Sequence, residues 1–395
     1  MAAQSMLLRS EYQLTALSKR NVAKPARAVQ SAAGPVASLE SLQRRSNPHS
    51  EGASSKRSLQ RGRQDSSQVF AGESFLGSSW TFKRSLLGES GIKCRPQQNI
   101  IAMATASKDP VTEWILGEGG AMKVLRTSSV GGGCINVAYK YDTDAGPFFV
   151  KSNRSTGPAM FEAEAAGLEK MWETKTIRVP KPLKVGTLPG GGSFIIMEFI
   201  EFGSRSSQAD LGRALGEMHK ASTGQSPHGF GFFMDNTIGS THQPNTWTSD
   251  WVDFFREHRL GFQLDLARRQ YAENTLYEKG QKLLAKLPEL LGGVEVAPVL
   301  LHGDLWSGNV ASDKDGRPVI LDPACYYGHS EAEFGMSWCA GFNSSFYEAY
   351  HKVIPKQPGF ERRVEIYKLY HYLNHLNLFG SGYRGSCMSI IDKFV

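Results

Sequence analysis

The sequence predicts an α+β fold of two lobes, a small sheet-rich lobe followed by a larger and mostly helical one. Residues 123–200 contain five short segments that read as strands, the first two with alternating apolar and polar residues, and one helical segment between the third and the fourth. After Gly203 helical periodicity dominates, and a loop-rich stretch at residues 302–328 interrupts it. These observations place a hinge between the lobes near residues 198–203.

Composition excludes several classes of protein. The chain has 395 residues, 40% hydrophobic and 21% charged, which is typical of a globular protein with a sizeable core. Its apolar runs are far shorter than the ~20 residues needed to cross a bilayer. Residues 1–103, here called the leader, carry fifteen Lys and Arg against six acids, and the remainder carries thirty against thirty-two. The net charge of +7 therefore belongs to the leader, which removes the main argument for nucleic-acid binding by the folded part.

The leader has the composition of an organelle transit peptide. It is rich in Ser, Arg, Ala and Gln, poor in acids, and lacks both sustained periodicity and an apolar stretch near its start. A disordered regulatory tail is the alternative. The Met1-Ala2-Ala3 opening, the serine content and the length favour a chloroplast, hence the plastid stroma, over a mitochondrion. We therefore expect a disordered transit peptide at 1–103, the first lobe at 104–202 and the second at 203–395.

The periodicities predict the elements in order. Turn residues at Asp144-Ala145-Gly146 join the second and third strands as a hairpin. Apolar residues at nearly helical spacing predict the helix that follows, which contains Phe161 and Leu168. The predicted helices are 111–116, 159–173, 208–220 and 251–260, with more within 268–291 and 331–392; the predicted strands are 123–130, 135–141, 147–152, 179–185 and 193–199.

The strongest chemical signal is a set of three polar residues: an Asp, an Asn five positions later, and a second Asp beyond a predicted hairpin. Asp304 and Asn309 lie in the octapeptide HGDLWSGN at residues 302–309, and Asp322 follows a short apolar strand. Phosphoryl transfer requires a carboxylate at the acceptor hydroxyl and oxygen ligands for Mg²⁺. We therefore predict Asp304 as the proton acceptor, Asn309 and Asp322 as Mg²⁺ ligands, and His302 as a support of the loop.

A strand lysine in the first lobe is the second signal. Lys151 ends the apolar segment Phe148-Phe149-Val150, where a lysine can contact nucleotide phosphates if a neighbouring acid orients it. Glu162 and Glu164 on the next helix are both candidates. We favour Glu164, because Leu168 four residues later anchors the same helix face.

A glycine run between the first two strands is the third signal. Gly131-Gly132-Gly133 would let backbone N–H groups approach a phosphate, although the run matches neither common nucleotide-binding pattern and also suits a plain hairpin turn. Cys134 follows directly, and a thiol beside phosphate-binding amides and a lysine is expected to be exposed and redox-sensitive. The end of the fifth strand, Glu198-Phe199-Ile200, would contact adenine through its backbone in a bilobal kinase.

Residues 109–391 resemble the fructosamine-3-kinase family, also called ketosamine kinases, in a plant chloroplast form. The octapeptide HGDLWSGN is more specific than the HxDxxxxN pattern that aminoglycoside and choline kinases share, because it retains Trp306 and Ser307. The other matching segments are Gly133-Cys134-Ile135, YDTDAGP at 141–147, FVK at 149–151, MFE at 160–162, LPGGG at 188–192 and DPACYYGH at 322–329.

The resemblance implies a protein-kinase-like fold of the aminoglycoside- and choline-kinase type that uses ATP and Mg²⁺. Such an enzyme phosphorylates the 3-hydroxyl of ketosamines on protein lysines, and the unstable 3-phosphate eliminates to free the amine. Lys151, oriented by Glu164, would then hold the ATP phosphates, and Trp306 would face the sugar. The expected partners are glycated proteins, with no nucleic acid and no membrane, and the chain is expected to be a monomer or a homodimer linked through Cys134.

Calvin-cycle pentoses and tetroses make ribulosamines and erythrulosamines the expected plastid substrates, ahead of fructosamines. A small-molecule kinase of the aminoglycoside or choline type is the first alternative, because it would need the same Asp304, Asn309 and Asp322. A protein kinase fits less well, since no DFG, APE or ordinary activation loop follows Asp322. A redox-responsive ATP-binding scaffold, suggested by Cys134, is the remaining alternative.

Overall fold

A computed structural model describes residues 109–131, 136–204 and 206–395. The leader prediction, including its boundary at residue 103, lies outside these residues. Among the helices of the described part, none is long and apolar enough to cross a membrane.

The first lobe is an antiparallel five-stranded sheet with one helix before it and one in the crossover. The strand order is β1-β2-β3-β5-β4, so β3, which carries Lys151, lies at the centre of the sheet. The helix α2 buries Phe161, Leu168 and Met171 in the main hydrophobic core. The bounds are α1 Pro110–Leu116, β1 Val124–Val130, β2 Val137–Thr143, β3 Gly146–Asn153, α2 Ala159–Glu173, β4 Pro182–Thr187 and β5 Ser193–Glu198.

The short helix α1 closes the outer face of the sheet. Its N-cap residue, Asp109, accepts hydrogen bonds from the amides of Val111 and Thr112, which satisfies two free donors of the first turn. Val111 and Ile115 then pack with Phe194 in a second, smaller apolar cluster. The opposite face of β3 is thereby left for the side chains that point between the lobes.

The second lobe is mainly helical and contains three short two-stranded sheets. The long helix α9 lies at its centre and is buried along much of its length, which suits a helix that packs on several sides. The bounds are α3 Gln208–Ser222, β6 Asn236–Ile238, β7 Thr241–Gln243, α4 Trp251–Phe255, α5 Phe262–Tyr271, α6 Asn274–Leu291, β8 Val299–Leu301, β9 Val310–Ser312, β10 Pro318–Ile320, β11 Tyr326–Gly328, α7 Ser337–Ala340, α8 Ser344–Val353, α9 Phe360–Phe379 and α10 Arg384–Phe394.

The structure changes several predicted bounds. The fourth strand begins at Pro182 and not at residue 179, because residues 179–181 have no regular secondary structure. The helix predicted at 251–260 continues through a π-helical turn, Arg256–Gly261, into α5. The hairpin β6–β7 and strand β11 were not predicted, because three-residue strands are too short to show an alternating pattern.

The β9–β10 hairpin, which the sequence predicts, attaches the loop of residues 302–309 to the segment between the lobes. Gly203 donates its amide to Ser312 O at 3.0 Å, and Lys314 donates its amide to Glu201 O at 2.9 Å. The segment after β5 therefore runs beside β9 and is hydrogen-bonded to the hairpin that follows the loop carrying Asp304.

Candidate active site

The loop after β8 is held by a buried histidine. His302 Nε2 lies 2.7 Å from Leu321 O, and its Nδ1 accepts the amide of Asp304 at 3.2 Å. A neutral ring with its proton on Nε2 satisfies both bonds, and burial lowers the pKa of His302, which favours that neutral form. This position suits the supporting role that the sequence predicts for His302.

A backbone turn at Gly303 brings Asp304 forward. Gly303 has φ +79°, and a Cβ added there would lie 2.2 Å from Ala324 O. Because both the left-handed backbone and the close carbonyl exclude a side chain, only glycine fits. The turn packs the Asp304 segment against the residues that follow Asp322.

Asp304 is a half-buried carboxyl in a negative environment. Burial, followed by the charges of Asp322 and Glu333, raises the pKa of Asp304 to about 7, although a hydrogen bond from Asn309 lowers it. Asn309 Nδ2 lies 3.5 Å from Asp304 Oδ2 and 2.8 Å from Asp304 O. A carboxyl poised near neutral pH can accept a proton from a hydroxyl and later release it.

An ion-pair network joins the two lobes at the same place. Lys151 Nζ, on β3, lies 2.7 Å from Glu164 Oε1 on α2 and also bonds Asp322 Oδ1 in the large lobe. The Lys151 and Glu164 side chains are nearly buried, whereas the Asp322 side chain is 53% exposed. The attraction of Glu164 and Asp322 outweighs burial and raises the pKa of Lys151, so the ammonium stays charged. The structure therefore selects Glu164, and not Glu162, as the partner of Lys151.

Asn309 and Asp322 each carry side-chain oxygen of the kind that a hard divalent cation binds. Asn309 uses its amide nitrogen to bond Asp304 O, so its amide oxygen is the atom left to coordinate. Asp322 has φ +55°, an uncommon conformation for a residue with a side chain, and its carboxylate is open to solvent on one side. Oxygen ligands of this kind suit Mg²⁺, which retains several waters and is completed by phosphate oxygens.

Two predicted site residues have side chains outside this cluster. The Glu198 carboxylate forms a bidentate ion pair with Arg178, with one Oε2–Nη1 distance of 3.0 Å, and its amide donates to Lys181 O at 2.9 Å. The carboxylate and the amide of Glu198 are therefore already bonded within the protein. Trp306 is 40% exposed, and its ring packs over Gly308, where a Cβ would lie 2.3 Å from it.

The connector residues Glu198, Phe199 and Ile200 line a cavity of about 520 Å³ together with charged side chains of the β9–β10 hairpin. Lys151, Asp304 and Asp322 are not among its lining residues. The carboxylate cluster, and not this cavity, therefore defines the candidate reaction centre. Gly131 is exposed at the end of β1, and Gly132, Gly133 and Cys134 lie outside the described residues.

One residue of the site was not singled out from the sequence. Glu333 lies on a 3₁₀ helix, Ser330–Met336, and is 2% exposed. Its carboxylate accepts the amides of His302 and Gly303, directly before Asp304. Only its position in a short EAEF segment could have drawn attention to it, and an acid in a polar turn is ordinarily exposed.

Comparison with known proteins identifies the family. A family model described as fructosamine kinase matches residues 108–395. The chain is similar to the chloroplastic protein-ribulosamine 3-kinase of Arabidopsis thaliana, with 64% identity over 301 residues, which is 76% of this chain and 92% of the relative.

Two solved structures share the fold. A candidate fructosamine-3-kinase from Thermobifida fusca is 28% identical with a TM-score of 0.62, covering 71% of this chain and 97% of that one. An aminoglycoside phosphotransferase in a ternary complex with AMP-PNP and hygromycin B is 16% identical with a TM-score of 0.50, over 71% and 97% of the two chains, and shows the fold alone. The protein-kinase-like bilobal fold predicted from the sequence is thus confirmed. With a family model matching nearly all of it after the leader, the chain belongs to the fructosamine kinase family.

Proposed function

We propose that this chain is an ATP-dependent kinase of protein-bound ketosamines and transfers phosphate to the 3-hydroxyl of the sugar. The convergence of Lys151, Asp304, Asn309 and Asp322 on one place between the lobes supports this function most directly. The family and the name of the Arabidopsis relative support the acceptor class. The 3-phosphate would then eliminate as inorganic phosphate, and water would hydrolyse the remaining sugar–nitrogen linkage, which releases the lysine amine and a deoxydicarbonyl fragment of the sugar and so repairs the glycated protein.

In the proposed reaction, Asp304 takes the proton of the 3-hydroxyl as that oxygen bonds to the γ-phosphorus. The bond from the γ-phosphorus to the β–γ bridging oxygen breaks, and ADP leaves with the electron pair. Lys151 contacts the nucleotide phosphates, and Glu164 keeps its ammonium directed between the lobes. In this structure Lys151 also bonds Asp322, and phosphate oxygens would take that place.

Asn309 and Asp322 would hold Mg²⁺, whose chemistry is to neutralise charge on the phosphate oxygens. Asn309 also donates to the backbone of Asp304, so one side chain links the ligand set to the proposed base. The connector residues Glu198, Phe199 and Ile200 would contact adenine through their backbone, and Gly131, Gly132 and Gly133 would lie over the phosphates. Trp306 offers an exposed aromatic face to the C–H face of a sugar.

We further propose a plastid location with ribulosamine and erythrulosamine adducts as substrates. The Arabidopsis relative is named chloroplastic and a ribulosamine kinase, and the composition of residues 1–103 is typical of a transit peptide. In the lobe division proposed here, 104–202 and 203–395 form the catalytic unit. A fusion of residues 1–103 to a fluorescent protein should enter plastids; retention in the cytosol would refute the location.

The acceptor class is tested with the full chain, Mg·ATP and a panel of substrates. Lysine peptides carrying ribulosamine, erythrulosamine or fructosamine are compared with the unglycated peptide, choline, free ribulose and an aminoglycoside. We expect a mass increase of one phosphate on ketosamine peptides only, followed by return of the free peptide. Transfer confined to choline, ribulose or the aminoglycoside would instead support a small-molecule kinase, and ATP binding without any transfer would support a scaffold.

The raised pKa of Asp304 predicts a pH dependence. A base must be ionised to act, so kcat/KM for the ketosamine should rise with pH through about 7 and level off above about pH 8. An ordinary aspartate would already be ionised at pH 5. Initial rates from pH 5.5 to 8.5, at a fixed saturating ATP concentration, measure the profile. A flat profile across this interval would contradict the environment described for Asp304.

We also propose that Cys134 is redox-sensitive and links two chains of a homodimer. Its position after three glycines and near Lys151 in sequence-predicted strands supports an exposed thiol with thiolate character. Mild oxidant should produce a dimer on non-reducing gels that Cys134→Ser abolishes. Persistence of the monomer, or a dimer that forms equally in the variant, would refute the linkage.

A further inference from the structure

Glu333 occupies an unusual position for an acid. Both of its oxygens accept backbone hydrogen bonds from the catalytic loop, Oε2 from the His302 amide at 2.7 Å and Oε1 from the Gly303 amide at 2.9 Å. With the Asp304 amide bound to the His302 ring, three successive amides of the loop have partners. Every backbone N–H group of residues 302–304 is therefore hydrogen-bonded, up to and including the proposed base.

This arrangement requires Glu333 to be ionised, that is, in its carboxylate form. Burial alone would raise its pKa, but the hydrogen bond from His219 and the hydrogen bond from the His302 amide help to hold the pKa below its usual range. His219 Nε2 lies 3.2 Å from Glu333 Oε2, and its Nδ1 lies 2.8 Å from the hydroxyl of Tyr350. An ionised carboxylate only accepts, so it can serve two amides and an imidazole at once.

We propose that Glu333 is a positioning residue for phosphoryl transfer, which acts by holding the His302 and Gly303 amides so that Asp304 is presented to the acceptor hydroxyl. This inference rests on the proposed function. Gly303 adds a constraint, because its left-handed backbone and the close Ala324 carbonyl leave the loop only one tight path. Small shifts along that path move the base, and a misplacement of about 1 Å can cost about 10²-fold in rate.

A neighbouring acid provides a matched control. Glu331 lies two residues away on the same 3₁₀ helix, is also buried, and pairs with Arg363 at 2.6 and 2.7 Å. Within the part of the chain that the structure describes, Glu331 forms no hydrogen bond to residues 302–309. Loss of either carboxylate perturbs the same buried region, but only loss of Glu333 removes acceptors from the His302 and Gly303 amides.

The experiment compares Glu333→Gln with Glu331→Gln in the full chain. A glutamine at 333 has one acceptor oxygen, and its NH₂ group would face an amide donor, so one of the two loop bonds is lost. We expect Glu333→Gln to lower kcat about 10- to 100-fold with KM for ATP within about threefold of wild type. Glu331→Gln should lower the melting temperature but leave kcat of the folded enzyme within about threefold. Equal losses of kcat in both variants, or an effect of Glu333→Gln on KM for ATP alone, would overturn the proposal.

A measurement that needs no enzymatic acceptor separates this inference from the proposed function. Residue-resolved hydrogen exchange should show slow exchange at the His302 and Gly303 amides in the wild-type chain. In Glu333→Gln one or both should exchange at least tenfold faster, and in Glu331→Gln neither should. Fast exchange of both amides in the wild type would refute the positioning role, even if Glu333→Gln fails to fold. If these amides behave as expected and no ketosamine is phosphorylated, the proposed function fails while the loop contact stands.

Discussion

Replacing Asp304 with Asn should reduce ketosamine phosphorylation by about 10²- to 10⁴-fold, which is the range that general-base catalysis supplies. Asparagine has the same shape but cannot accept the proton of the 3-hydroxyl. ATP affinity should remain within about threefold of wild type, because Lys151, Glu164 and Asp322 are unchanged. Single-turnover phosphate transfer to a ribulosamine peptide measures the first effect, and titration with a fluorescent ATP analogue measures the second.

Asp392→Asn is a suitable control for the Asp304 variant. Asp392 lies on α10 and forms an exposed ion pair with Lys279 at 2.6 Å, so its loss should change neither transfer nor ATP affinity. An Asp304→Asn enzyme that retains more than a tenth of wild-type transfer would show that this carboxylate is not the base. A parallel loss of ATP affinity would show that Asp304 acts in nucleotide binding.

Replacing Lys151 with Met should abolish most activity and also destabilise the protein. Hydrogen bonds to charged groups contribute about 1.5–3 kcal/mol each, so loss of the phosphate contacts should lower kcat/KM for ATP by about 10²-fold or more. The same change leaves Glu164 buried without its cation, and breaking a buried pair in this way costs about 3–5 kcal/mol. Steady-state kinetics and chemical denaturation measure the two effects separately.

The double variant Lys151→Met/Glu164→Gln separates binding from stability. The neutral pair removes the uncompensated charge, so the double variant should recover much of the lost free energy of unfolding without recovering activity. Glu164→Gln alone, which retains the lysine, should lose less activity than Lys151→Met. Recovery of ATP turnover in the double variant would show that Lys151 does not contact the phosphates.

The stability of Lys151→Met should also depend on pH. Burial raises the pKa of Glu164 even in the wild type, and loss of the lysine charge raises it further. When a carboxyl has a higher pKa in the folded than in the unfolded chain, the free energy of unfolding of the protein falls as pH rises from the unfolded pKa of ~4.3 through the folded pKa. The variant should therefore lie closer to wild type at pH 5 than at pH 7.5. An unfolding free energy that differs from wild type equally at both pH values would contradict this account.

Local patterns in the sequence were sufficient for most of the secondary structure. The alternation before and after Gly146 predicts β2 and β3, and the helix predicted at 159–173 has the bounds found for α2. Each of these elements is long enough for its pattern of apolar and polar residues to be recognised in the local sequence. The three-residue strands of the β6–β7 hairpin also bury alternate residues, but most of those residues are polar, so the sequence shows no apolar alternation there.

The spacing within HGDLWSGN and the aspartate that follows it also predict that Asp304, Asn309 and Asp322 act together, because these residues belong to one short loop and hairpin. Their mutual distances are set by local backbone, which a sequence motif describes directly. The sequence alone left Glu162 and Glu164 as rivals for Lys151, and the favoured Glu164 proved to be the residue in contact. The same analysis could not foresee that the Glu198 side chain would bind Arg178 and not face the site.

By itself, the sequence determined the two-lobe fold and the family resemblance, and it predicted a set of phosphoryl-transfer residues, since all three depend on patterns of nearby residues. Tertiary structure alone decided which distant groups meet. Lys151 and Asp322 are 171 positions apart, and Glu333 reaches the loop from 30 residues beyond it. The ionisation of Asp304 and Glu333 likewise depends on burial and on charges from other elements. Desolvation and long-range electrostatics arise only when the chain is packed, so no local pattern records them.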